Sequence, residues 1–277
     1  MHGIYAGACP GFADSKMTRQ GRAQVPRRLE PMHSSPSQPS LKAVLWDMDG
    51  TLVDTEPYWI SAERALVEAH GGTWSHQQAM QLVGQSLLHS AGILQAAGVR
   101  MEARHIIDTL SSEVIAQVRN QVPWRPGARE LLDDLHGAGV RCALVTMSEG
   151  PLASVVVESL AKPYFEFLVT GDTVTNGKPH PEAYLTAVDR LRLDDPSLGI
   201  EHCVALEDSV PGATAAMASG VITVGVPHQV PLPDDARMIL WETLSGRTSA
   251  DLAQLVTDRH LQSAPTPAGN TLEGAYK

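Results

Sequence analysis

A chain of 277 residues with 43% hydrophobic and 19% charged residues can bury a sizeable core, as one large domain or as a core with an accessory domain, without staples. A formal net charge of -10 excludes a general nucleic-acid binder, because no basic stripe exists to release counterions from a phosphate backbone. Cys9, Cys142 and Cys203 have neither metal-ligand spacing nor the even count of a disulfide framework, and no apolar run approaches a signal peptide or a membrane span; a cytoplasmic protein with no membrane partner is expected.

Residues 1–39 are rich in Gly, Pro, Ser, Arg and Gln without periodicity and read as a disordered tail, within which Met17 and Met32 are alternative starts. Leu41 to Trp46 is a compact apolar run ending directly at Asp47, the first strand of an α/β fold. From 57 to 122 the pattern is helical without a convincing strand, and it reads as an inserted helical domain. Its helices are expected at about 58–69, 76–83, 87–97 and 102–120. A core of 40–56 and 123–261 then resumes the alternation, with strands at Arg141 to Val145, Phe165 to Val169, His202 to Leu206 and Val221 to Val224. Helices begin at Pro126-Gly127-Ala128, at Pro181 and at Ser209, the last residue a plausible N-cap. Residues 262–277 read as a second loose tail.

The polar residues of interest fall just after predicted strands, the edge where open α/β sheets bind ligands. Asp47-Met48-Asp49-Gly50-Thr51 puts two carboxylates two residues apart at a turn that glycine permits. Asp47 is the candidate nucleophile and Asp49 the candidate acid and base for a phosphate ester, a reaction that also needs charge neutralised and phosphoryl oxygens held. An EF-hand loop is excluded, since Leu52 and Val53 stand where oxygen ligands are needed. Thr146, with Ser148 as its neighbour and competitor, can hold a phosphoryl group; Lys178 in Gly177-Lys178-Pro179-His180-Pro181 can aim a fixed cation into the site. Glu207 and Asp208 are adjacent carboxylates at a strand end, an arrangement that suits Mg2+ with its preference for hard oxygen ligands.

Together, and in this order, these segments resemble the four motifs of the haloacid dehalogenase superfamily of phosphatases. The resemblance implies a Rossmann-like parallel sheet core with an inserted α-helical cap of the first type. Lys178 to Leu185 and Val204 to Gly212 look like the beta-phosphoglucomutase and sugar-phosphatase branch. By that likeness Asp47, Asp49 (through its backbone carbonyl), Asp208 and Glu207 serve the metal, and Thr146 and Lys178 hold the phosphate. The presence of Asp49 argues against dehalogenation. A mutase needs basic residues in its cap for a second phosphate, and no Lys or Arg lies between Arg64 and Arg100. The expectation is a Mg-dependent phosphatase of a small phosphorylated metabolite, most readily a sugar phosphate, acting as a monomer; a phosphomutase and a non-catalytic phosphometabolite binder are the alternatives. Trp59, Gln85 and Ser86 are the candidate substrate contacts in the cap.

Overall fold

The structure, a computed structural model, describes residues 40–263. The expected N-terminal tail with Met17, Met32 and Cys9, and the chain beyond 263, lie outside the described residues. Six strands form one sheet in the order β3-β2-β1-β4-β5-β6, every pairing parallel. They are β1 (Ala43–Trp46), β2 (Arg141–Val145), β3 (Phe167–Val169), β4 (Cys203–Glu207), β5 (Ile222–Gly225) and β6 (Met238–Leu240).

β1 is buried along its whole length, and side chains alternate faces, so such a strand reads as an unbroken apolar run. Val44 and Trp46 join one core with Leu131, Leu132 and Leu135 of α5 (Ala128–Gly137), Leu152 and Val156 of α6 (Gly150–Glu158), and Leu252 and Val256 of α9 (Ser249–Ser263). Ala43 and Leu45 join the opposite core with Tyr184, Ala187 and Val188 of α7 (Glu182–Asp194) and Ala215 and Ala216 of α8 (Val210–Ser219). Helices thus cover both faces, as a parallel sheet requires.

Between β1 and β2 the chain inserts α1 (Glu56–Ala69), α2 (His76–Ala79), α3 (Leu87–Ala96) and α4 (Ala103–Asn120). Ile106, Leu110, Val114 and Val118 repeat every fourth residue and give α4 one buried stripe. Entry and exit of this insertion are joined to each other. Val53 and Trp124 form an antiparallel bridge, Asp54 N–H donates to Pro123 O at 2.7 Å, and Arg125 N–H donates to Leu52 O at 3.0 Å. Arg125 Nη1 and His228 Nδ1 are 2.7 Å apart, and His228 Nε2 is 2.7 Å from Asp54 Oδ1. A guanidinium can only donate, so Nδ1 accepts; the approach of Nε2 to Asp54 is an ion-pair distance without hydrogen-bond geometry, and Asp54 Oδ1 is left without a hydrogen-bond partner.

Two boundaries and three elements differ from expectation. α2 stops at Ala79 instead of Val83, because residues 80–84 tighten into turns that end at Gly84 with φ 73°. α9 continues through Ser263, past the point where a loose tail was expected. α6, α9 and β6 were not singled out in the sequence, β6 being only three residues long. No helix among the described residues is long and apolar enough to cross a membrane.

Gly127, at φ 83°, precedes α5 where an added Cβ would lie 2.3 Å from the Leu244 carbonyl carbon and Ser245 N. Gly127→Ala therefore combines an unfavourable backbone region with a clash. The expected loss is about 1–3 kcal/mol, read as a lower urea midpoint with an unchanged m-value.

Candidate active site

Asp47 follows β1, Thr146 follows β2, Glu207 ends β4 and Asp208 follows it, so three neighbouring strands deliver four of the expected residues to one sheet edge. At the turn after Asp47, Gly50 has φ 91°, and a Cβ there would lie 2.0 Å from Asp208 Oδ2. Glycine is needed for the turn and for the approach of Asp208.

Lys178 is 7% exposed and its ammonium donates to Asp47 Oδ1 at 2.7 Å, Glu207 Oε1 at 2.6 Å and Val145 O at 2.8 Å. All three of its hydrogens are thereby used. Burial disfavours the charge, but Asp47 and Glu207 outweigh it and hold Lys178 firmly protonated. The lysine meets the expectation of a fixed cation beside Asp47, while its donors are occupied by protein acceptors.

Glu207 is fully buried. Besides Lys178, Oε1 accepts from the Tyr184 hydroxyl at 2.7 Å, and Oε2 accepts from Asp208 N at 3.2 Å, Ser209 N at 3.3 Å and Ser209 Oγ at 3.2 Å. Gly212 makes room for it, since a Cβ there would lie 1.9 Å from Oε1. Asp47, Glu207 and Asp208 each bring a carboxylate oxygen within 4.8 Å of the others. Of the three, Glu207 is saturated by protein donors. Asp47 Oδ2 is buried with no hydrogen-bond partner, and Asp208 has only a long contact from Thr51 Oγ1, at 3.4 Å. A hard divalent cation fits between carboxylates left open in this way. Burial first, and then the charge of Glu207, raise the Asp47 carboxyl to about 7, Lys178 opposing; burial and the charges of Asp47 and Glu207 raise Asp208 well above the usual range. Both shifts express a shortage of positive charge.

Asp49 lies across the cleft. Oδ1 accepts from the Thr55 hydroxyl; Oδ2 accepts from Ser148 Oγ at 2.7 Å and Thr146 Oγ1 at 3.3 Å. Thr55 is the N-cap of α1, yet its hydroxyl serves Asp49 and leaves the helix end uncapped. Thr146 also accepts from Ser148 N at 3.0 Å, so the two residues that competed for one role act together.

The cleft encloses about 720 Å³ including its open mouth, and its lining includes Asp47, Asp49, Thr146, Lys178 and Asp208. The inserted helices add Glu56, Trp59, Glu63, Gln85 and Ser90. Trp59 and Gln85 thus stand where they were expected. Ser86 does not line the cleft: it is the N-cap of α3, accepting from His89 N at 3.3 Å, a use of serine that competes with ligand contact. Glu56, Glu63 and Ser90 were not singled out, although positions 56, 59 and 63 follow the spacing of one helix face. Arg64 and Arg100 are exposed, and Arg104 pairs with Asp108 and, bidentately at 2.6 and 2.7 Å, with Glu149. None of these arginines lines the cleft.

The family model for haloacid dehalogenase-like hydrolases matches residues 41–220. The phosphorylated carbohydrates phosphatase of Thermotoga maritima is 32% identical over 199 residues, 69% of this chain and 87% of that protein. The validoxylamine A 7'-phosphate phosphatase of Streptomyces hygroscopicus subsp. limoneus is 31% identical over 192 residues, 67% of this chain and 85% of that protein. The crystal structure of beta-phosphoglucomutase from Clostridium difficile matches with a TM-score of 0.67 over 80% of this chain and 99% of that one; at 18% identity this is a likeness of fold.

Raised carboxyl pKa values make the folded protein bind more protons than the unfolded chain, so stability falls as pH rises from the ordinary Asp value of 3.8 through about 7. A cation that binds the ionised pair removes this penalty. The gain in melting temperature on replacing EDTA with MgCl2 is expected to grow from pH 5.5 to pH 8, measured by calorimetry; a gain that shrinks with pH would contradict the carboxylate assignment.

Proposed function

The chain belongs to the haloacid dehalogenase-like hydrolases, and from that premise we propose that it is a magnesium-dependent phosphatase of a small phosphorylated metabolite, working through an aspartyl phosphate on Asp47. The observation that carries this reading is the buried, unpartnered Asp47 Oδ2, in a residue that lines the cleft together with Asp49 and shares a possible cation site with Asp208. Asp47 and Asp208 are the residues that would hold Mg2+, joined by the Asp49 carbonyl if the family likeness extends to it. Its charge, when bound, draws in the phosphoryl oxygens and offsets their repulsion of Asp47.

Asp47 attacks phosphorus in line, the bond to the leaving oxygen breaks, and Asp49 delivers a proton to that oxygen. Water then attacks the aspartyl phosphate, Asp49 takes its proton, and inorganic phosphate leaves with Asp47 restored. Hydroxyls both donate and accept, so Thr55, Thr146 and Ser148 can serve Asp49 with or without its proton. Lys178 acts by charge, keeping Asp47 oriented through Oδ1 while Oδ2 stays free to attack. Glu207 orients Lys178, and its contacts with Asp208 N and Ser209 tie Asp208 to the same frame.

Hydrolysis is favoured over phosphoryl relocation because, among the described residues lining the cleft, Lys178 is the sole lysine or arginine and its donors are used. Among the described residues, no lysine or arginine of the inserted segment lines the cleft to meet a second phosphate. The relatives named for phosphorylated carbohydrates and for validoxylamine A 7'-phosphate support a polyhydroxylated leaving group. The reading includes a cytoplasmic monomer.

With Mg2+, p-nitrophenyl phosphate and hexose phosphates are expected to release phosphate, and Asp47→Asn to abolish it; activity retained in Asp47→Asn would remove Asp47 as nucleophile. In kcat/KM, which is fixed before the shared aspartyl phosphate is hydrolysed, Asp49→Asn should lower the value for a hexose phosphate by about 10²–10⁴-fold. It should lower that for p-nitrophenyl phosphate much less, because nitrophenolate leaves without a proton. Equal losses of kcat/KM on the two esters would remove Asp49 as the acid.

A further inference from the structure

One wall of the cleft is built by α1, which brings Glu56, Trp59 and Glu63 to its lining at i, i+3 and i+7. Glu56 is 8% exposed and has no hydrogen-bond or ion-pair partner among the described residues. Glu63 is 5% exposed; its Oε2 accepts from Trp74 Nε1 at 3.1 Å and its other oxygen makes no hydrogen bond. The free oxygens of Glu56 and Glu63 are not sealed in the interior but border the cleft, where a ligand's donors can reach carboxyls otherwise largely withdrawn from water. Burial raises Glu56 to about 8, with Asp49, Glu63, Asp54 and Asp47 adding to it, and burial raises Glu63 to about 7 against the Trp74 hydrogen bond. Two acids are thus held apart from any counter-cation.

The rest of the lining narrows what can sit there. Gln85, Ser90, Ser148 and Ser209 are neutral, and Lys178 has no donor to spare. A leaving group with a second anionic group would find no fixed cation to pair with among the described residues and would oppose ionisation of Glu56 and Glu63 further, whereas a cation favours it. Plain hydroxyls would leave at least one carboxyl without a charged partner. An ammonium satisfies the set, through charge-assisted hydrogen bonds to the carboxylates and contact with the face of the Trp59 indole.

Resting on the phosphatase reading above, we propose that the Glu56–Trp59–Glu63 face selects phosphate monoesters whose polyhydroxylated leaving part carries an ammonium group. The probes are glucosamine 6-phosphate, glucose 6-phosphate and 6-phosphogluconate, which present an amine, a neutral polyol and a carboxylate. With Mg2+ at pH 7.5, kcat/KM should be about tenfold or more higher for the amine ester than for the neutral one, as one hydrogen bond to a charged group allows, and lowest for the carboxylate. In Glu63→Gln and in Glu56→Gln the amine-to-neutral ratio should fall toward one. That ratio is taken within a single preparation, so the fraction folded cancels. A ratio near or below one in the native enzyme, no turnover of the amine ester, or a ratio unchanged in both variants overturns the proposal. Each of those results alongside hydrolysis of p-nitrophenyl phosphate leaves the phosphatase reading standing; no hydrolysis of p-nitrophenyl phosphate overturns both.

Discussion

The ammonium of Lys178 sits where β1, β2 and β4 end, and one acceptor comes from each: Asp47, the Val145 carbonyl and Glu207. Burying a charge is tolerable only when it is paired and its hydrogens are all used, and here both conditions are met. The consequence reaches outward. Asp47 has one oxygen fixed and one free. Glu207, pulled in by the lysine, collects Tyr184, Ser209 and two backbone N–H groups, and requires glycine at 212. Asp208 is then pinned against Gly50. The tolerance for any change at these positions is set by one ion sealed from water.

One cation against three buried carboxylates leaves an excess of negative charge, and that excess is the property that makes the place suitable for a divalent metal. The same shortage recurs on the α1 wall, where Glu56 and Glu63 have no cation at all. The two deficits differ in kind. Beside Asp47 and Asp208 the carboxylates converge on one point; along α1 they are two helical turns apart with an indole between, a spacing for an extended organic group.

Much of this was legible from the residues alone. Buried parallel strands announce themselves as apolar runs, which placed β1, β2, β4 and β5 within two residues at each end, and the polar residues directly after them marked the sheet edge. The phosphate-side residues Asp47, Asp49, Thr146, Lys178 and Asp208 do line one cleft. What pattern could not give is where a side chain's hydrogen bonds are spent. Ser86 looks the same on paper whether it caps a helix or meets a ligand, and Glu207 looks the same whether it faces a metal or a lysine. Short elements such as β6 carry too few residues to show a period, and the turns over residues 80–84 that follow α2 end at Gly84, close against Ser209, a tertiary approach that local sequence does not encode.

The two connections to the inserted helices are bridged to each other at Val53 and Trp124 and tied to the body by the Asp54, His228 and Arg125 chain. A third tie, the bidentate pair of Arg104 with Glu149, joins α4 to the start of α6. Glu56, two residues after Asp54, stands on the same short stretch of chain that carries Asp49, so what it presents to the cleft is set by the connection itself, whereas Gln85 and Ser90 depend on how the more distant helices are packed.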